Sequence, residues 1–237
     1  MSTVPSGSRG LHGHLVEQLG RQIASGELSE GTQIVPEDLC ERYAASRPVV
    51  REALRALEAK GMVRPRPKTG TRVLPLAMWN LLDQDVIRWR VAGPQGPRQL
   101  DELSDLRAAV EIFAARGCAS HASPAQVARL HEACDRMQHA STANDHAAFT
   151  AADIDFHSLV LEASGNAVFG NFASPFAAFL HAREDLQTLP QHVEPAVLTE
   201  HRNIVLAIEG HDGDTAERWA RSVVERSRAE VGQALGQ

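Results

Sequence analysis

One helix predicted from this sequence carries an apolar face and a cationic face at the same time. It follows Ser46, a residue type common at helix N-caps, and ends at Gly61. Its apolar residues recur at helical spacing: Val50, Leu54 and Leu57. Its basic residues form an i, i+4, i+8 row on another face: Arg47, Arg51 and Arg55. Because the apolar face must pack into a core, the arginine row is left facing outward.

Two helices are predicted before this helix and two short strands after it. Apolar periodicity indicates a first helix that ends near Gly26, and Pro36 suits the first turn of a short second helix. The stretches 62–64 and 71–74 have the residue types of strands, on either side of a basic loop over residues 65–70. Helix, helix, turn, helix and basic hairpin is the architecture that places one helix in the major groove of DNA.

The first 74 residues differ in charge from the remainder of the chain. They hold eleven Lys and Arg against eight Asp and Glu, whereas the remainder holds 13 basic and 22 acidic residues. The net charge is therefore +3 in the first part and −9 in the second, within a total of −6. A local basic patch suits a polyanion, and the negative total argues against a protein that coats nucleic acid non-specifically.

The rest of the composition is that of an ordinary globular protein. The sequence has no run of about 18 apolar residues and no apolar stretch at its start that resembles a signal peptide. Its three cysteines are far apart and in no CxxC arrangement, which indicates neither a disulfide framework nor a thiolate zinc site. We therefore expect a cytoplasmic protein without a membrane partner.

Three stretches of the basic region form a specific motif: Ser46–Leu54, Leu57–Val63 and Gly70–Val73. Together they resemble the DNA-binding domain of the GntR family of regulators. The resemblance implies a winged helix-turn-helix, with the arginine-bearing helix as recognition helix and the hairpin as wing. Pro48 and Val49 depart from the family pattern, which has a small polar residue and a proline there, and this departure bears on base preference.

The same resemblance implies a set of contacts to a double-stranded DNA operator: Ser46, Arg47, Arg51, Arg55, Lys68 and Gly70. Arg47 and Arg51 would contact bases or phosphates, Ser46 a phosphate, and Gly70 would lie at the wing tip. The chemistry agrees, since an arginine can donate two hydrogen bonds to one guanine. We interpret Glu52 as a structural partner and not as a DNA contact.

Turn signals divide the chain into four parts. We expect a disordered leader over residues 1–10, the winged helix-turn-helix over 11–74, a linker helix region over 75–98 and an all-helical domain over 99–237. The linker, with its two tryptophans, resembles that of regulators responding to sugar acids such as galactonate or gluconate. Beyond it only helical periods occur, which predicts a mainly α protein with a C-terminal bundle of six to seven helices. Phe113 and Leu206 are expected on buried faces of that bundle.

Motifs in the predicted helical domain resemble the effector-binding (FCD) domain of FadR-type GntR regulators: Leu106–Glu111, Asp153–His157, Gly165-Asn166 and His201. Asp153 and His157 are four residues apart on a predicted helix, so both project from one face, a spacing suited to one divalent ion. The resemblance implies His201 as a third ligand. It places the fourth, a histidine in the family, near Val223, whose side chain cannot ligate a metal. Three protein ligands with an oxygen donor remain feasible for zinc or a similar ion, and a metal-free pocket is the alternative.

Arg107 is the first candidate for binding the effector. It has a simple interpretation as half of a surface i, i+4 pair with Glu111, but the family places this arginine toward the bundle cavity. A guanidinium there would complement the carboxylate of a small organic acid. Asn166 and Arg183 are further candidates for the cavity wall, with capping or packing as their alternative roles.

These features predict a ligand-responsive DNA-binding transcription regulator, a repressor that binds a palindromic operator as a homodimer and senses a small organic acid. The alternative is a metal-dependent hydrolase or isomerase acting on a small carboxylate through Asp153, His157 and His201. No GxSxG, HExxH or Walker motif supports this alternative, and it leaves the basic patch of the first 74 residues unexplained. We therefore predict a regulator and not an enzyme.

Overall fold

The computed structural model describes residues 8–66, 70–185 and 193–234, and the chain divides into two compact units, 1–96 and 97–237. The elements described in the first unit are α1 (Ser8–Ala24), β1 (Gln33–Ile34), α2 (Pro36–Arg42), α3 (Arg47–Ala59), β2 (Val63–Arg66), β3 (Gly70–Val73), a 3₁₀ turn (Leu76–Met78) and α4 (Gln84–Val91). Three helices followed by a hairpin agree with the predicted winged helix-turn-helix. Helix α1 begins at Ser8, inside the segment expected to be a leader.

The core of the first unit forms around the apolar face of α3. Val50, Ala53 and Leu57 are completely buried, and α1 packs against this face with Leu15 and Leu19. A three-stranded antiparallel sheet closes the unit, with β3 between β1 and β2. The sequence analysis did not predict β1, because two residues are too few to show the alternation that marks a strand.

Helix α4 also belongs to this core, although the sequence placed it in a linker. Trp89 is buried over Gly20 of α1, and its indole nitrogen donates to Glu17 Oε2 at 2.8 Å. Arg88 donates to both oxygens of the same carboxylate at 2.7 Å. Chiefly through the hydrogen bonds from Arg88, the pKa of Glu17 falls to about 2. The Glu17 carboxylate therefore fixes α4 on α1.

The second unit is a helical bundle with α7 at its centre. Its described helices are α5 (Gly96–His121), α6 (Pro124–Ala143), α7 (His146–Ala163), α8 (Ala167–Gly170), α9 (Ala173–Asp185), α10 (Pro195–Glu209) and α11 (Gly213–Ala234). Seven helices within the described ranges agree with the predicted six to seven. Asp145 caps the N-terminus of α7 by accepting from the Ala148 amide, and Phe156 and Leu161 on this helix are completely buried. None of the helices described is long and apolar enough to cross a membrane.

Two apolar residues expected in the bundle core are instead exposed, so these expectations were wrong. Phe113 of α5 is 59% exposed, and Leu206 of α10 is likewise on the surface. On α5 the core-facing side is centred on Arg107, Ala114 and Cys118, and Phe113 lies too far around the helix to reach it. The apolar pattern of α5 therefore predicted the wrong buried face, because polar residues occupy part of the face that is actually buried.

The contact between Gly20 and Trp89 can be tested by adding one methyl group. A Cβ atom at Gly20 would overlap the indole ring, so Gly20→Ala should lower the free energy of unfolding by about 1–3 kcal/mol despite its better helix propensity. Gly13→Ala, on the same helix with open space around it, should raise it by up to about 1 kcal/mol. Urea unfolding followed by tryptophan fluorescence measures both. Equal midpoints for the two variants would contradict this packing.

Candidate functional site

The outward face of α3 carries the three arginines of the row. Arg47 has 81% of its side chain exposed, and Arg51 and Arg55 are also exposed. Arg55 donates to Glu52 at 2.8 Å, in keeping with a structural role for Glu52. Ser46 has an extended backbone before α3, and its side chain makes no capping hydrogen bond to any residue the structure describes. Its hydroxyl is therefore not committed to the helix.

The three arginines border a groove between α3 and the hairpin. Arg47, Arg51, Arg55 and Gly70 line this groove together, and Ser46 precedes it in the chain. Gly70 has a φ of +83°, and an added Cβ would approach the Ile34 carbonyl oxygen to 2.7 Å, so only glycine fits at this position. Lys68 lies outside the described residues.

The hairpin adds cations that the sequence analysis did not name as contacts. Arg64 and Arg72 are directly opposite each other on β2 and β3, and both are exposed. Arg66 is exposed opposite Gly70. Like charges on opposite cross-strand positions repel, and a polyanion relieves that repulsion. The signal was present in the sequence, since these arginines alternate with the apolar residues of the strands.

A second site is a cavity inside the helical bundle, which encloses about 650 Å³ including its opening to solvent. Five of the six residues predicted to bind metal or effector line it together with Val223: Arg107, Asp153, His157, Arg183 and His201. Asn166 is not among the lining residues. Its side chain instead caps α8 by accepting from the Val168 amide at 3.0 Å, which was the alternative role considered for it.

Asp153, His157 and His201 form a compact cluster in this cavity. Asp153 Oδ1 lies 3.4 Å from His157 Nε2 and 3.2 Å from His201 Nε2. All three potential ligand atoms lie within 4.8 Å of one another. Asp153 and His157 meet because they are one turn apart on α7, whereas His201 comes from α10. Carboxylate and imidazole atoms at this spacing suit a divalent ion such as zinc.

The second nitrogen of each imidazole is held by the surrounding structure. His157 Nδ1 lies 2.9 Å from Glu111 Oε2, and His201 Nδ1 lies 2.7 Å from the Val197 carbonyl oxygen. This orients both Nε2 atoms toward Asp153, which is how metal-binding histidines are usually supported. His201 Nε2 is buried opposite Asp153 Oδ1 at 3.2 Å, without a well-aligned hydrogen bond to any described residue. The donors present therefore fit an ion.

Glu111 connects this cluster to Arg107. Arg107 donates to both oxygens of Glu111, at 2.9 and 3.1 Å, and each side chain is 2% exposed. The i, i+4 pair considered as the simple interpretation is thus present, but it is buried and not on the surface. Burial alone would raise the pKa of the Glu111 carboxyl, but Arg107 and His157 lower it to about 2. Burial likewise opposes the charged form of His157, yet Glu111 and Asp153 raise its pKa to about 9.

Two more arginines face the cavity. Arg183 of α9 donates to Ser227 at 2.7 Å and to Glu230 at 2.8 Å. Arg226 of α11 donates to both oxygens of Glu200, which is next to His201 in the chain. The sequence did not single out Arg226 and Glu200, because they come together only when α10 packs against α11. Val223 also lines the cavity from α11, so no ligand comes from that position.

The sequence matches one known family in each unit. Residues 11–73 match the bacterial regulatory proteins of the gntR family, and residues 102–226 match the FCD domain. The chain is 32% identical over 215 residues to the galactonate operon transcriptional repressor of Escherichia coli K12, which covers 90% of this chain and 93% of that protein. It is 29% identical over 232 residues to the transcriptional repressor NanR of Enterobacter sp. strain 638, which covers 92% and 84% of the two chains.

Solved structures share the fold. Streptococcus agalactiae GntR superposes with a TM-score of 0.54 at 20% identity, covering 92% of this chain and 99% of that one. Escherichia coli McbR/YncC superposes with a TM-score of 0.55 at 18% identity, covering 95% and 98%. These identities are low, so the likeness concerns the fold alone.

A winged helix-turn-helix followed by a helical bundle with a polar cavity defines a class of DNA-binding transcription regulators. The chain belongs to the GntR family, in the FadR-type group whose members carry an FCD domain. This confirms the family identified from the sequence. The prediction of a regulator and not an enzyme is also confirmed, because the relatives are regulators.

The buried pair of Arg107 and Glu111 can be tested against an exposed pair on the same helix. Glu111→Gln removes one charge and leaves the Arg107 guanidinium uncompensated in the core, so the free energy of unfolding should fall by about 3–5 kcal/mol. Glu102→Gln, which affects the exposed pair with Arg98, should cost less than about 1 kcal/mol. Urea unfolding followed by circular dichroism, with a chelator present, measures both. Similar losses of unfolding free energy in the two variants would mean that the buried pair stabilises the protein no more than the exposed pair does.

Proposed function

We propose that this protein is a homodimeric repressor that binds a palindromic operator and senses a sugar acid such as D-galactonate in its bundle cavity. The observation that carries the proposal is the cavity itself, where the Asp153, His157 and His201 cluster lies among three arginines. The name of the Escherichia coli relative supports a galactonate-like effector. Because a repressor must reach its operator DNA, we place the protein in the cytoplasm.

Operator binding is assigned to the groove between α3 and the hairpin. Arg47, Arg51, Arg55 and Gly70 border it, Ser46 directly precedes it in the chain, and the exposed Arg64, Arg66 and Arg72 extend the basic surface along the hairpin. Arginines at the start of a helix in the major groove can read guanine, and arginines on a wing can neutralise phosphates. Two such heads on a two-fold dimer would read the two halves of a palindrome.

Effector binding is assigned to the bundle cavity. Asp153, His157 and His201 would hold a divalent ion, zinc or a similar one, which would supply positive charge for an acid group. Because Val223 provides no ligand, the ion would keep a position open for an oxygen of the effector. Arg107 and Arg183 add positive charge on the wall, where a carboxylate or hydroxyl would be stabilised.

Regulation requires that the acid binds one arrangement of the dimer's two winged helix-turn-helix domains more tightly than another. A ligand with equal affinity for both arrangements would leave DNA binding unchanged. We propose that the sugar acid favours the arrangement that does not match the operator, so that it releases the repressor.

The recognition helix can be tested with an operator selected from random DNA by the wild-type protein. Arg47→Ala and Arg51→Ala should each weaken specific binding about 10- to 100-fold, because each removes a guanidinium that can contact a base. Arg129→Ala, which removes the same charge from the exposed surface of α6, is the control and should bind normally. Mobility-shift assays with the selected operator and with scrambled DNA give the ratio of specific to non-specific affinity for each variant. Wild-type specificity in both α3 variants would refute the assignment.

The effector site can be tested by thermal unfolding of chelator-treated protein. Zn²⁺ should raise the melting temperature, and D-galactonate should raise it further by about 5–10 °C at 100-fold its Kd. His201→Ala should lose both responses. The control is His139→Ala on α6, whose Nδ1 also lies close to the carbonyl of the residue four positions earlier, but whose side chain is exposed. A wild-type protein that responds to galactonate but never to metal would establish the metal-free alternative.

A further inference from the structure

One face of α7 carries four polar residues into the same cavity: His146, Thr150, Asp153 and His157. Their spacings of four, three and four residues keep them on one side of the helix. Asp153 and His157 belong to the ligand cluster already described. Thr150 lies three residues before Asp153, about 4.5 Å along the helix axis. Its side chain therefore borders the cavity next to the cluster without being part of it.

The Thr150 hydroxyl is buried and lacks a partner among the described residues. The residue is 3% exposed, and Oγ1 makes no hydrogen bond to any residue within the described ranges. A threonine in a helix can satisfy its own hydroxyl by donating to the carbonyl four residues earlier. Thr142 does so to Gln138 at 2.9 Å, and Thr199 to Pro195 at 3.0 Å. Thr150 does not, although it lies inside a regular helix.

A buried hydroxyl without a partner destabilises the empty protein, so a residue at this position that only packs would be better replaced by valine. The hydroxyl makes no hydrogen bond to the described residues of the cavity wall, and part of that wall is apolar. Phe149, Val193 and Val197 line the cavity with apolar groups. A ligand that brings a polar atom to Thr150 would satisfy the hydroxyl and gain affinity from it.

We propose that Thr150 is a specificity-determining residue, whose hydroxyl forms a hydrogen bond with a hydroxyl group of the effector. The proposal rests on the proposed function, in which the acid group of the effector lies at the Asp153 cluster. A carbon chain running from that cluster along α7 would bring a hydroxyl two or three carbons from the acid group to Thr150. The site would thereby prefer hydroxylated acids to unsubstituted acids of the same length, because an alkyl chain leaves the Thr150 hydroxyl unpaired.

The experiment compares Thr150→Val with Thr199→Val and uses two acids of six carbons, D-galactonate and hexanoate. Calorimetric titration should show that Thr150→Val weakens galactonate binding about two- to tenfold and leaves hexanoate binding unchanged. Thr150→Ser, which keeps the hydroxyl, should restore galactonate binding. Thr199→Val removes a hydroxyl on the surface of α10 and should bind both acids as the wild type does.

Thermal unfolding without ligand gives an independent readout. Thr150→Val should melt at the wild-type temperature or above it, because a methyl group replaces an unpaired hydroxyl. A lower melting temperature for Thr150→Val, matching or exceeding the loss in Thr199→Val, would overturn the proposal by showing that the hydroxyl has a partner within the fold.

The titrations separate this proposal from the one on which it rests. If the wild type binds neither acid, sensing of an organic acid fails and the role of Thr150 fails with it. If the wild type binds galactonate and Thr150→Val binds it equally well, only the role of Thr150 fails. Equal affinity of the wild type for hexanoate and galactonate would also overturn the role of Thr150, because the site would then not recognise hydroxyl groups.

Discussion

The arrangement of the bundle cavity depends on the contacts that the buried Glu111 carboxylate makes. It accepts two hydrogen bonds from Arg107 and faces His157 Nδ1, and all three side chains are buried. A lone carboxylate in this position would be protonated by the cost of burial, but its two cationic neighbours keep it charged. Because Glu111 orients His157, it also determines which imidazole nitrogen faces Asp153. One residue behind the cavity thus arranges the residues that line it.

Much of the fold could be predicted from the sequence because local patterns determine it. The arginine row and apolar face of α3 follow from helical periodicity, and the strands of the hairpin follow from alternation. The predictions failed where the buried face of a helix contains charges, as on α5, since Arg107 and Glu111 occupy positions that a hydrophobic pattern assigns to apolar residues. The position of α4 depends on a hydrogen bond to Glu17, 72 residues earlier, which no local pattern contains.

In the candidate site, too, some residues could be predicted from the sequence and others depend on tertiary packing. Asp153 and His157 are one turn apart, so their pairing is visible in the sequence, and the family resemblance supplied His201. Arg226 and Glu200 come together only through the packing of α10 on α11, and nothing in their spacing indicates it. Asn166 illustrates the opposite case, because the side chain of this family motif residue caps α8, which is the alternative role that the sequence left open. The sequence can therefore identify candidate site residues, but the contacts that these residues make depend on tertiary packing.

The unpaired polar atoms of the cavity have a consequence for the lifetime of the protein in the cell. The Thr150 hydroxyl is buried without a hydrogen-bond partner among the described residues, and His201 Nε2 is buried opposite Asp153 Oδ1 without a well-aligned hydrogen bond. Both arrangements reduce the stability of the protein when no ligand is bound. Anything that binds the folded chain and supplies those partners shifts the balance away from the unfolded chain, which proteases degrade. The abundance of such a regulator would then follow the supply of its ligand, separately from any change in DNA binding.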